Sequence, residues 1–158
     1  MRVVTWNINS VRLRIKSVRR VVKKLNPDIL CLQETKCLRE DFPFKDFKRM
    51  GFLQTEAYGI KGYNGVSISS KIPIVSYDKT TFCNKDDARH INIELLYQKK
   101  KINIHNFYIP AGGDEPDPKI NKKFKHKLQF LDEATKYFSN KNNADSDLIV
   151  VVGDLNIA

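Results

Sequence analysis

Asp147-Leu-Ile-Val-Val-Val-Gly-Asp-Leu-Asn-Ile-Ala158 is the stretch whose reading decides the fold. Leu148 to Val152 is an unbroken apolar, mostly β-branched run, the composition of a strand buried on both faces. Gly153 ends it, and Asp154 and Asn156 follow. Residues two apart in extended chain project to the same side, so a carboxylate and an amide would leave the end of a rigid strand together. Gly, Asp and Asn are also ordinary turn residues, and the stretch alone does not choose between a turn and a site.

Upstream, Ile120, Phe124, Leu128, Leu131, Ala134 and Phe138 recur at helical spacing. They predict a long amphipathic helix, joined to the final strand by the polar residues Asn140 to Ser146. Pro110 to Pro118 forms a rigid loop before it. Phe52–Tyr58, Val66–Ser70, Ile74–Phe82, Arg89–Tyr97 and Lys101–Ile109 read as successive strands. Their short connections at Gly59, Gly62, Asn64-Gly65, Pro73 and Gln98–Lys101 imply antiparallel pairing. The chain opens on a strand–helix–strand unit. Arg2–Asn9 is the first strand, and Ser10 is placed to cap the helix. Val11, Ile15, Val18, Val22 and Leu25 form the apolar stripe, and Asn26-Pro27 stops the helix. Arg12, Arg14, Lys16, Arg19, Arg20, Lys23 and Lys24 cover its other faces. Asp28–Thr35 is the second strand, and Phe42–Met50 a short helix closed by Gly51.

Strands packed on strands, with an amphipathic helix outside each group, predict an α/β sandwich of two sheets face to face. No internal repeat or linker divides the chain. Sandwiches of this kind commonly run to about 200–250 residues as one domain. The expectation is therefore that residues 1–158 are the N-terminal portion of one domain whose C-terminal part this chain does not contain.

The 158 residues carry 28 Lys+Arg against 18 Asp+Glu, a formal net charge of +10. That excess favours a polyanionic partner, although a solvated lysine-rich face gives the same count. Cys31, Cys37 and Cys83 cannot all pair and have no metal-binding spacing, which fits free thiols in a reducing compartment. No apolar stretch approaches the ~20 residues that span a bilayer, and no apolar leader opens the chain. These features predict a cytoplasmic protein without a membrane partner.

Four strands end in polar side chains: Asn7 and Asn9, Glu34, Asn106 and Tyr108, and Asp154 and Asn156. Each has an ordinary structural alternative: a helix cap for Asn7, a solvated strand end for Glu34, a half-buried aromatic for Tyr108. As a set they offer oxygen ligands, suited to Mg²⁺ or Mn²⁺ rather than to zinc.

Trp6-Asn-Ile-Asn-Ser-Val-Arg12, Gln33-Glu-Thr-Lys36, Gly62-Tyr-Asn-Gly-Val-Ser67, Asn106-Phe-Tyr-Ile-Pro110 and Gly153-Asp-Leu-Asn156 resemble, in order, the motifs of the exonuclease III family. That family comprises apurinic/apyrimidinic endonucleases of the DNase I-like superfamily. The resemblance implies a four-layer αββα sandwich, Mg²⁺- or Mn²⁺-dependent phosphodiester hydrolysis, and duplex DNA with abasic sites or 3′ ends as partner. It also implies a monomer at full length. By the same resemblance, Asn7, Glu34, Asp154 and Asn156 match the metal-site residues. Tyr108 matches the tyrosine on the scissile phosphate, Asp154 the aspartate that orients or deprotonates water, and Asn156 the asparagine that positions it. Asn9, Lys36, Asn64, Arg89 and Asn106 fall in matching stretches as candidates for DNA contact. The family's later aspartate and Asp-His pair have no counterpart, since His90, His105 and His126 lie elsewhere. The expectation follows that these residues alone are inactive. Two alternatives stay open: a superfamily relative acting on inositol phosphates or lipids, and a non-catalytic nucleic-acid-binding remnant.

Overall fold

Alternating stretches and short apolar runs form the strands, and stretches with period-3.6 patterning form the helices. The computed structural model describes residues 1–140 and 148–157. In chain order the elements are β1 (Val3–Asn7), α1 (Ile15–Leu25), β2 (Ile29–Gln33), α2 (Phe44–Arg49), β3 (Gln54–Ile60), β4 (Tyr63–Ser70), β5 (Ile74–Asp78), β6 (His90–Tyr97), β7 (Lys100–Tyr108), α3 (Lys122–Asn140) and β8 (Leu148–Asp154). They build two four-stranded sheets, β1-β2-β4-β3 and β5-β6-β7-β8. β1 pairs with β2 in parallel and β7 with β8 in parallel, while the other neighbours are antiparallel. A parallel pair needs a crossover, supplied by α1 in one sheet and α3 in the other.

Three apolar clusters define the layers. Val18 and Val22 of α1 and Phe47 of α2 pack with Leu30 and Leu32 on the outer face of the first sheet. Cys31, Val66 and Ile68 meet Ile91, Ile93 and Ile104 between the sheets. Phe130 of α3 packs with Phe82, Phe107 and Ile109 on the outer face of the second. The order is helix, sheet, sheet, helix, which is the αββα sandwich expected from the sequence.

Local departures have local causes. Ser10 does not cap α1: the helix starts at Ile15, with Arg14 at the cap position and no side-chain cap bond. Residues 11–14 form a turn instead, because Val11 N–H bonds Thr35 O and draws the chain onto the end of β2. Asn64 and Gly65, expected in a turn, lie inside β4, and β5 stops at Asp78 rather than Phe82. The buried stripe of α3 runs through Phe130, Leu131, Ala134, Tyr137 and Phe138, whereas Leu128 and Ile120 are exposed. Among the described residues β8 is not covered on both faces: Leu148 is 47% and Val151 49% exposed. Among the described residues β8 is an edge strand, with β7 as its one paired neighbour. The polar connection over 140–146 lies outside the described residues, apart from Asn140 at the end of α3. No described helix is long and apolar enough to cross a membrane.

Candidate active site

Parallel pairing puts the C-terminal ends of β1 and β2 side by side, and likewise those of β7 and β8. Face-to-face packing then brings the two pairs of ends together. Asn7 at the end of β1 donates from Nδ2 to Glu34 Oε1 at 2.9 Å and to Asp154 Oδ2 at 2.7 Å. Tyr108, ending β7, donates its hydroxyl to the same Glu34 oxygen at 2.9 Å. Lys36 Nζ lies 2.8 Å from Glu34 Oε2 and donates to Asn9 Oδ1 at 2.6 Å. Asn7, Glu34, Tyr108 and Asp154, from four strand ends and both sheets, thus form one hydrogen-bonded cluster, with Lys36 and Asn9 at its rim.

The backbone under the cluster is bent into uncommon conformations. Asn9, Glu34, Lys36, Asn64 and Asn156 all have positive φ, between 42° and 54°. A non-glycine residue in this region costs of order 1–3 kcal/mol and persists only where its surroundings over-determine it. Here they do. Thr35 N–H bonds Gly65 O and Lys36 N–H bonds Asn64 O, while Ser10 and Val11 donate to Glu34 O and Thr35 O. Gly65 has φ +98°, and a Cβ there would meet Thr35 Oγ1 at 2.2 Å. Gly153 has φ +147°, and a Cβ would meet Phe107 O at 2.0 Å. Only glycine lets β8 lie this close to β7 and set Asp154 opposite Tyr108.

Electrostatics assign each group a protonation state. Burial by itself would raise the Glu34 carboxyl. Hydrogen bonds from Asn7, Lys36 and Tyr108, with the Lys36 charge, outweigh it and hold the group below the usual carboxylate value. Burial pushes the Tyr108 hydroxyl well above its usual range, and the hydrogen bond to Glu34 and its charge add to this. Glu34 is therefore an anion and Tyr108 a neutral donor at neutral pH.

The remaining candidates separate. Asn156 donates its backbone N–H to Asp154 Oδ1 at 3.1 Å and its side chain to Ile109 O at 2.7 Å, so it fixes the aspartate and the following turn. Arg89 is 8% exposed. It pairs with Asp87 at 2.6 Å, donates to Tyr108 O at 3.2 Å, and lies 4.9 Å over the Tyr108 ring. Asn64 is buried and donates to Asp87 O at 2.7 Å. Asn106 does not join the open cluster. It is wholly buried between the sheets, accepting from Gln33 Nε2 at 2.6 Å and donating to Leu32 O and Ser67 O. Its amide groups are occupied by protein and face no solvent. His90 and His105 are buried against each other, 3.0 Å apart, beneath α3 and not at the cluster. Two supporting residues have no role legible in sequence: Gln33, a polar residue inside a buried strand, and Asp87, two residues before the arginine it holds. A cleft beside Lys36 and Asn9 is lined by Arg12, Leu13 and Arg14.

The donor set at the cluster is all oxygen. Among the described residues no three His, Cys, Asp or Glu side chains converge; the carboxylates are two, Glu34 and Asp154, bridged by one amide. Two carboxylates fit Mg²⁺ or Mn²⁺, which keep several waters, and do not fit zinc. The Lys36 ammonium, held between Glu34 and Asn9 oxygens, marks the preference of this spot for a cation.

The sequence profile of the Endonuclease/Exonuclease/phosphatase family matches residues 4–158. Exodeoxyribonuclease III of Haemophilus influenzae is 28% identical over 160 residues, covering all of this chain and 58% of that protein. The solved structure of an AP endonuclease from Archaeoglobus fulgidus superposes with a TM-score of 0.84 at 32% identity, over all of this chain and 58% of its own. That of a Neisseria 3′ phosphatase, NExo, bound to a product DNA hairpin gives 0.84 at 28%, with the same coverage. The chain thus spans 58% of the length of these relatives.

Proposed function

The chain belongs to the Endonuclease/Exonuclease/phosphatase family, and on that premise we propose that the protein carrying it hydrolyses phosphodiester bonds of duplex DNA, at abasic sites and at 3′ ends. The observation that carries this reading is the convergence of Asn7, Glu34, Tyr108 and Asp154 from four strands at one end of the sandwich. The likeness to a DNA exonuclease and to an AP endonuclease supports the choice of substrate.

Glu34 and Asp154, with Asn7 and Asn156 beside them, would hold Mg²⁺ or Mn²⁺; bound there, the ion would supply positive charge for the phosphoryl oxygens. The chain's own residues account for the other roles. Asp154, its carboxylate steadied by Asn7 and by the Asn156 N–H, is the acceptor for a proton of the attacking water. Tyr108, kept protonated by burial and by Glu34, is a hydrogen-bond donor for a phosphate oxygen and not a base. Lys36, with Asn9 and Arg14 along the cleft, offers cationic and amide contacts for the strand. Arg89 and Asn64, joined through Asp87, hold the Tyr108 segment in place.

The test is incision of an abasic-site duplex by the purified protein with Mg²⁺, together with Mn²⁺ binding followed by calorimetry. EDTA should abolish cleavage. Glu34→Gln should lower turnover by at least about 10² and weaken Mn²⁺ binding in protein that is still folded at the assay temperature. Undiminished cleavage in excess EDTA, or hydrolysis of inositol phosphates in place of DNA, would overturn the reading.

A further inference from the structure

α1 departs from what a helix requires if it only covers a sheet. Its inner face does that work, with Val18 and Val22 packed on the first sheet. Every residue of α1 from Lys16 to Lys24 that is exposed is cationic: Lys16, Arg19, Arg20, Lys23 and Lys24. At 100° per residue these five share one outward arc. They stand in like-charge pairs at i,i+4 (Lys16 with Arg20, Arg20 with Lys24, Arg19 with Lys23), and each such pair destabilises a helix. No acidic residue lies in the first turn, and no side chain caps it. Arg19 pairs with Asp46 of α2. Lys16, Arg20, Lys23 and Lys24 have no ion pair among the described residues. The chain contains no Asp or Glu before Asp28, so no i,i+4 partner is available within the helix. A local rule broken this consistently marks a surface kept for a ligand.

The face also has a direction. α1 begins where Arg12, Arg14 and Lys36 line the cleft beside Glu34. From Lys16 to Lys24 it carries the same charge a further ~12 Å along the helix axis. We infer that the outer face of α1 is a second phosphate-binding surface, taken by nucleic-acid backbone outside the segment that occupies the cleft. A membrane surface fits less well, because interfacial helices bury apolar side chains beside their cations and this face exposes none between Lys16 and Lys24. The inference extends the reading of the cleft, resting on it only for nucleic acid as the polyanion.

The experiment is fluorescence anisotropy with intact duplexes of about one and about three helical turns. It compares the protein with its Arg20→Gln/Lys23→Gln/Lys24→Gln variant over a range of salt. Each lost phosphate contact should lower the slope of log affinity against log salt by about 0.9. The variant should therefore lose at least about tenfold in affinity for the long duplex, with a slope shallower by about 2–3. Binding of the short duplex, and incision of a one-turn duplex that carries an abasic site, should stay unchanged. Its thermal midpoint should hold or rise, since like-charge pairs are relieved. Equal slopes for protein and variant on the long duplex would overturn the inference, as would equal losses on both lengths. So would wild-type binding to phosphatidylserine vesicles that the variant loses while DNA affinity is untouched. Absence of incision, with length-dependent binding lost in the variant, would sink the catalytic reading and leave this one standing.

Discussion

At the scale of the residue, Glu34 is the pivot, because one of its oxygens receives both Asn7 and Tyr108 and the other faces Lys36. Its position with φ +54° is uncommon for a glutamate, and the hydrogen-bonded turn beneath it makes that conformation the one available. The same partners lower its proton affinity against the opposing effect of burial. The sign of the consequence is fixed. A carboxyl whose folded pKa lies below its ordinary value of 4.5 contributes stability above that value. That contribution is lost as pH falls through the lowered one. In metal-free protein, urea midpoints taken from neutral pH into acid should fall more steeply for the native chain than for Glu34→Gln. Parallel curves would detach Glu34 from the network. The residue types at the cluster were legible beforehand, as polar groups ending otherwise apolar strands. The role of Asn106 was not, since a buried amide and an exposed one read alike in sequence.

At the scale of the element, β7 carries both kinds of asparagine-and-tyrosine duty. Tyr108 at its tip points to the cluster, while Asn106 two residues earlier ties β7 to Leu32 of β2 and Ser67 of β4. Alternation puts the two on one face, but depth along the strand separates them. Asn106→Ala would leave Gln33 Nε2 without one partner and remove the side-chain donor from two strand carbonyls. Orphaned buried groups cost about 1–3 kcal/mol each, so the variant should lose at least about 2 kcal/mol in urea unfolding. Its affinity for DNA, measured where it is still folded, should change little. A stable variant with weakened DNA binding would return Asn106 to the binding surface. α1 makes the complementary point: its stripe was visible in sequence, its start was not. The four residues expected in its first turn are instead held against the end of β2 by Val11 and Thr35.

At the scale of the molecule, two helix-backed sheets share one inner core, and the strands differ in how far they are enclosed. β7 lies between β6 and β8 with most of its length buried, whereas β5 is an edge strand among the described residues, with Val75 and Tyr77 exposed. Amide exchange should therefore be faster in β5 than in β7 by about two orders of magnitude. Equal protection would mean that the free edge of β5 is covered in solution. The sequence by itself determined the element types, the two-sheet sandwich, the excess of positive charge and the oxygen character of the strand-end groups. Each of these follows from local periodicity and composition. Only the tertiary structure decided that Asn7, Glu34, Tyr108 and Asp154 meet and that Asn106 is sealed between the sheets. Those outcomes depend on strand order and on the register between sheets. Both are set by contacts among residues up to 147 apart in the chain, and no local pattern of side chains encodes them.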